Sequence, residues 1–172
     1  MATLITSLNT AQIASLSTTS IAALEAADWA LFTSSQVAAL TTAQVQALET
    51  RDLVVLSTSA VQGFTTSAIT ALNTTQIGAL GTAQLQALST RQIAALETGD
   101  IVALSSAQLG AFSSTQIGAL TTAQVAAIET RDLAALTSTT LKALGTAQIV
   151  ALVERRGEAA QPPGRARSAR GP

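Results

Sequence analysis

From Leu8 to Ala151 the chain divides into 18 consecutive octads with no insertion or deletion. Leu120-Thr-Thr-Ala-Gln-Val-Ala-Ala127 and Leu88-Ser-Thr-Arg-Gln-Ile-Ala-Ala95 are typical, and the consensus is L-x-T-x-Q-[IVL]-x-A. Position 1 is Leu, Phe or Ile in all 18 octads, and position 3 is Thr or Ser in 17, with Ala26 the exception. Position 6 is Ile, Val or Leu in 17, with Trp29 the exception; position 8 is Ala in 14. Position 5 is Gln in ten and Asp in four. A short fixed period constrains the fold more than any composition can, because each unit is too small to bury its own apolar face and must stack on its neighbours. A longer copy overlies the period: Phe32 to Leu56 matches Phe112 to Leu136, shifted by 80 residues, down to a shared Glu-Thr-Arg-Asp-Leu.

A single continuous helix does not suit this period. At about 100° per residue, eight residues carry the apolar stripe roughly 80° past a whole number of turns, so the Leu positions spiral around the helix. A strand puts positions 1 and 6 on opposite faces, and Ala is a weak strand former. The spacing predicts an all-α solenoid with one very short helix per octad; a β-solenoid is the alternative. Thr at position 3 is expected to be the N-cap, with Gln or Asp at N2. Position 6 and the next position 1 lie three apart and share a face. Position 8, between them, is kept small for close helix approach.

Composition follows from the octad. Hydrophobic residues make up 48%, aromatic residues 2% and charged residues 11%, with no His and no Cys. Without Cys there is neither a disulfide framework nor a thiolate metal site. Without His the commonest general base and metal ligand is missing. A net charge of −1 gives nothing to attract nucleic acid or an anionic membrane. The apolar runs are far shorter than the roughly 20 residues that span a bilayer, and the start lacks the basic and apolar regions of a cleavable signal peptide.

Three segments are expected: a degenerate start at residues 1–7, the array at 8–151, and a tail at 152–172. The tail holds all three prolines and five Arg and is expected to be disordered.

Four octads pair Glu at position 2 with Asp at position 5: Glu25/Asp28, Glu49/Asp52, Glu97/Asp100 and Glu129/Asp132. Paired carboxylates can bind Ca²⁺ or share a proton; two acids at a helix N-terminus also stabilise it, and that reading is preferred. Arg51 and Arg131 stand between the acids in two of the four. Trp29, Phe32, Phe64 and Phe112 fall on positions 6 and 1 and are expected to fill the core. Ser and Thr abound, but no base stands ready to activate one. No catalytic, cofactor-binding or metal-binding residue is assigned, no cofactor is implied, and the chain is not expected to be an enzyme. Regular Thr rows also raise an ice-binding surface, disfavoured if the position 3 hydroxyls are taken up by capping.

The run Thr121 to Ala127, with Gln-Ile-Gly-Ala-Leu at Gln76 to Leu80, resembles the octapeptide arrays of large bacterial surface or secreted repeat proteins, which carry haemagglutinin-like, RTX-type or haem-utilisation labels. The array lacks His and any Gly-Gly-x-Gly-x-Asp calcium repeat, so the chemistry of those labels does not come with the resemblance. What it implies is a structural repeat module, a spacer, stalk or adhesive surface, outside the cell or on its surface, with a protein or cell-surface partner. The alternative is a cytoplasmic scaffold for protein–protein interaction.

Overall fold

The computed structural model describes residues 4–159, with side-chain surroundings from residue 5 to residue 155. Among the described residues there are helices and no strands: a 3₁₀ turn at Leu4–Ser7, then helices from α1 (Thr10–Ser15) to α18 (Thr146–Ala159), one per octad. The all-α solenoid is the observed fold, and the β-solenoid is not.

The N-cap is position 2, not position 3, and the Gln or Asp is N3, not N2. In α15 (Thr122–Ala127) the cap is Thr121. Its hydroxyl accepts from the Gln124 amide at 3.2 Å, and Gln124 Oε1 accepts from the Thr121 amide at 2.7 Å. This reciprocal pair satisfies two of the free amides at the helix start. A cap at position 3 puts Gln only two residues on and loses the return bond, which is why the frame sits one residue earlier. Where the helix closes at position 8, position 1 breaks it: Leu120 and Ile128, the C-caps of α14 (Ser114–Ala119) and α15, turn to extended backbone at ψ 140° and 123°.

Each helix packs on the third helix before it and the third after it. One and a half helical turns have no stability alone, so this stacking creates the fold. The stack has a measurable period. Gln76 in α9 (Thr74–Gly78) donates through Nε2 to the Leu48 carbonyl 28 residues back at 2.7 Å and to the Val45 carbonyl 31 residues back at 3.0 Å. Gln76 is at position 5 and Leu48 at position 1, so 28 residues are three octads plus four positions, and a coil holds three octads, in agreement with the stacking of every third helix.

Position 6 side chains form the axis of the core. Ile13, Ile21, Val37, Val45, Leu53, Ile69, Ile77, Leu85, Ile93, Ile117 and Val125 are fully buried, and each contributes about 1.5–3 kcal/mol by leaving water. Position 1 residues such as Leu40, Leu48 and Leu80 join them. The four aromatics are core residues as expected: Trp29, Phe32, Phe64 and Phe112 are all buried, and Trp29 stacks on Phe32 with ring centroids 4.3 Å apart. Small residues bring coils together. A Cβ on Gly63 would lie 2.1 Å from the Ser34 carbonyl oxygen, and one on Gly110 would lie 3.0 Å from the Ala135 carbonyl oxygen.

The tail is helical where it begins. The boundary expected at 152 is not a helix boundary, since α18 continues through Ala159. Val153 stands where every octad has a cap-forming residue or Gly, and Leu152-Val-Glu-Arg-Arg offers no break and good helix formers. Residues 1–3 of the start, and 160–172 of the tail with its prolines, lie outside the described residues.

Candidate functional site

Three sets of polar side chains could carry function: the position 5 amides, the acidic octads and the outward hydroxyls.

The amides are committed to the fold. Gln36, Gln44, Gln76, Gln84, Gln92, Gln116, Gln124 and Gln148 are all buried. In each, Oε1 accepts from the position 2 amide of its own helix. Nε2 donates to carbonyls one coil back, as from Gln92 to Phe64 at 2.8 Å and from Gln116 to Leu88 at 2.8 Å. The position 1 carbonyl needs this donor, because its extended backbone carries it outside the helix ladder. One side chain therefore caps a helix and ties two coils, a role the spacing alone did not reveal.

The acidic octads keep half of that arrangement. Asp28, Asp52 and Asp100 each accept from the amide of their partner Glu, at 3.1, 2.9 and 2.8 Å, but an ionised carboxylate has nothing to donate to the coil beneath. Burial pushes the Asp52 carboxyl above its usual value against the lowering effects of the Glu49 amide and of Arg51. Burial likewise raises Asp100, opposed by the Glu97 amide. The two Arg stand where the sequence put them: Arg51 Nε lies 2.9 Å from Glu49 and 3.7 Å from Asp52, and Arg131 Nε lies 3.1 Å from Glu129 and 3.5 Å from Asp132. Octads 80 residues apart thus repeat the same ion pairs.

Asp52 and Asp132 differ in one respect. Ser106, at position 3 one coil back, donates to Asp132 Oδ1 at 2.6 Å. The corresponding residue for Asp52 is Ala26, and Asp52 Oδ1 is buried without a hydrogen-bond partner, as is Trp29 Nε1. The sole octad lacking Ser or Thr at position 3 is the one whose hydroxyl is missed. No three acidic side chains among the described residues come together to hold a metal ion, so the geometry gives the acidic pairs a place at helix N-termini.

With the cap at position 2, the position 3 residues are exposed, apart from the half-buried Ala26, Ser106 and Ser114, and only Ser106 makes a side-chain hydrogen bond among the described octads. The objection that capping uses up these hydroxyls is withdrawn. The varied neighbour at position 2, which is Thr, Ser, Glu, Gly or Asn, is what interrupts a uniform Thr face. Position 7 side chains face the next coil: Thr70 and Gln86 donate to the carbonyls of Ala95 and Ala111, 25 residues on, at 3.3 and 3.0 Å. No helix among the described residues is long and apolar enough to cross a membrane.

A family model described as the ALTTAQ repeat matches residues 45–82, 70–98, 93–128 and 125–153. The six residues of that name stand in this chain as Ala39–Gln44 and Ala119–Gln124; they run from position 8 through the position 2 cap to the position 5 Gln. No curated protein matches the chain, and no solved structure does.

Proposed function

Because the chain belongs to the ALTTAQ repeat family, we propose that it works as a non-catalytic structural module, a spacer, stalk or adhesive surface of an exported bacterial repeat protein. One observation carries this reading. Coil after coil, the polar side chains with the longest reach are spent on holding coils together, and the surface left over is a repetition of Thr, Ser and Ala with little charge. Such a stack sets a length and presents the same groups many times. It has no His, no Cys and no convergent acids among the described residues, so its chemistry is that of a surface.

The exported setting rests on the likeness of the octads to bacterial surface arrays and on an exterior rich in hydroxyls and poor in charge. Fractionation of the native host, with detection of the chain by antibody, tests it. Recovery from the cell surface or the medium is the expected result. A purely cytosolic signal contradicts it and favours an intracellular scaffold.

A further inference from the structure

The faces between coils are unlike, and among the described residues one of each kind is uncovered. Seen from the core outward, the face toward the preceding coil carries the position 5 side chain. The face toward the following coil carries position 7 and the carbonyls that receive the next Gln.

At the C-terminal end, in α17 (Ser138–Leu141) and α18, position 5 stays buried at Thr140 and Gln148. Position 6, sealed elsewhere, opens: Leu141 is half-buried and Ile149 is 47% exposed, beside Val150 at 47% and Val153 at 61%. The carbonyls of Leu136 and Leu144 accept from no Gln among the described residues, although that of Leu96 accepts from Gln124 at 2.6 Å. The first coil is the converse. Ile13 and Ile21 are buried, but Gln12 is exposed. Its Oε1 accepts from the Asn9 amide, as Gln does in the other Gln octads, while its Nε2 reaches no carbonyl among the described residues. Charge agrees with shape, since Lys142 stands on the open C-terminal face and Glu25 and Asp28 on the first coil.

We propose that these two faces bind each other between copies, so that the first coil of one chain docks on the last coil of a second as the next coil of the stack. The contact is continuous with the coil–coil interface inside each chain and uses the same groups: the Gln12 amide against position 1 carbonyls, and aliphatic position 6 side chains against the underside of the next helix. It is head-to-tail and continues the stack along its own axis, so it builds linear assemblies and not rings. The Arg155 guanidinium of α18 donates to the Ala126 carbonyl and so ties α18 to the body of the array.

Sedimentation of the full chain over a wide concentration range tests the proposal, with Ile149→Glu and Gln12→Glu as variants. Both residues are exposed, so each variant is expected to keep the helical circular dichroism of the parent. The parent's mass is expected to rise through successive multiples of one chain. Each variant alone is expected to associate at least tenfold more weakly. An equimolar mixture is expected to form a dimer and stop there, because Ile149→Glu retains a good first coil and Gln12→Glu a good last coil. A parent that stays at the mass of one chain throughout overturns the proposal, as it would if the described ends were covered by residues 160–172. Self-association that survives both variants, or that the mixture does not restore, overturns it too.

Discussion

Gln124 is 2% exposed and makes bonds to two coils at once. Oε1 accepts from the Thr121 amide, and Nε2 donates to the carbonyls of Ile93 at 2.9 Å and Leu96 at 2.6 Å. Gln124→Glu keeps the shape and the cap acceptor but replaces the amide donor with a carboxylate oxygen facing two carbonyls. Leaving a buried group unpaired costs about 1–3 kcal/mol, and a buried charge without a partner costs about 3–5 kcal/mol. The larger figure governs at neutral pH. Gln124→Met removes all three bonds without adding charge and is expected to cost about 2–4 kcal/mol at every pH. The two variants part company in acid. Burial beside carbonyls raises the carboxyl pKa of residue 124 in the folded state above its unfolded value. The destabilisation is therefore fully developed above the folded pKa and fades as pH falls through it, when the protonated acid can donate to Leu96. Urea unfolding followed by circular dichroism from pH 8 to pH 4, with m-values compared to confirm a shared transition, reads both effects. A cost below about 1 kcal/mol for Gln124→Glu at pH 8, or one that does not shrink in acid, refutes the reasoning.

Other substitutions test neighbouring steps. Asp100→Gln restores a donor opposite the carbonyls of Ile69 and Leu72 and is expected to stabilise the chain by about 1–2 kcal/mol at pH 7 in urea melts. Because burial raises Asp52 and Asp100 in the folded state, their contribution is most favourable below the ordinary Asp value of 3.8 and is lost as pH rises through the raised values. Stability is expected to climb on mild acidification, less steeply in Asp100→Gln. Ala26→Ser should place a hydroxyl on Asp52 Oδ1 as Ser106 does on Asp132, adding about 0.5–1.5 kcal/mol to unfolding free energy. Gly63→Ala drives a Cβ into the Ser34 carbonyl and is expected to lose about 1–3 kcal/mol; Gly78→Ala, whose Cβ would lie 3.5 Å from the Ala103 carbonyl oxygen, is the tolerated control in the same thermal melts.

The helix-per-octad architecture was legible because positions 6 and 1 share a face only on a helix, and because no eight-residue unit with an inserted turn can be long. The cap was misplaced by one residue. Near-invariance points to position 3, whereas the informative signal is the pairing of positions 2 and 5: Glu with Asp in four octads, and Thr, Ser, Asn or Gly with Gln in ten. A three-residue spacing between such pairs marks a capping box. The coil length was not legible, because it depends on Gln Nε2 finding carbonyls 28 and 31 residues away, and a strict period of eight is compatible with any number of octads per turn. The orphaned Asp52 oxygen was half-visible, since Ala26 was already the odd residue at position 3. The reason it matters lies one coil away in Asp52, a distance the octad does not encode. The helical run past Ala151 was hidden by the Pro and Arg that follow.

The central claim is a coil of three octads, and a disulfide reads it directly because the chain has no Cys of its own. A Cβ on Gly118 would lie 3.8 Å from that of Ala143, close to the mean separation across a disulfide. The pair Gly118→Cys/Ala143→Cys is expected to oxidise in air to an intramolecular bond, seen as faster migration on a non-reducing gel. A coil of four whole octads would instead bring Ala151 opposite Gly118. Closure of Gly118→Cys/Ala151→Cys while the first pair stays reduced would contradict the account.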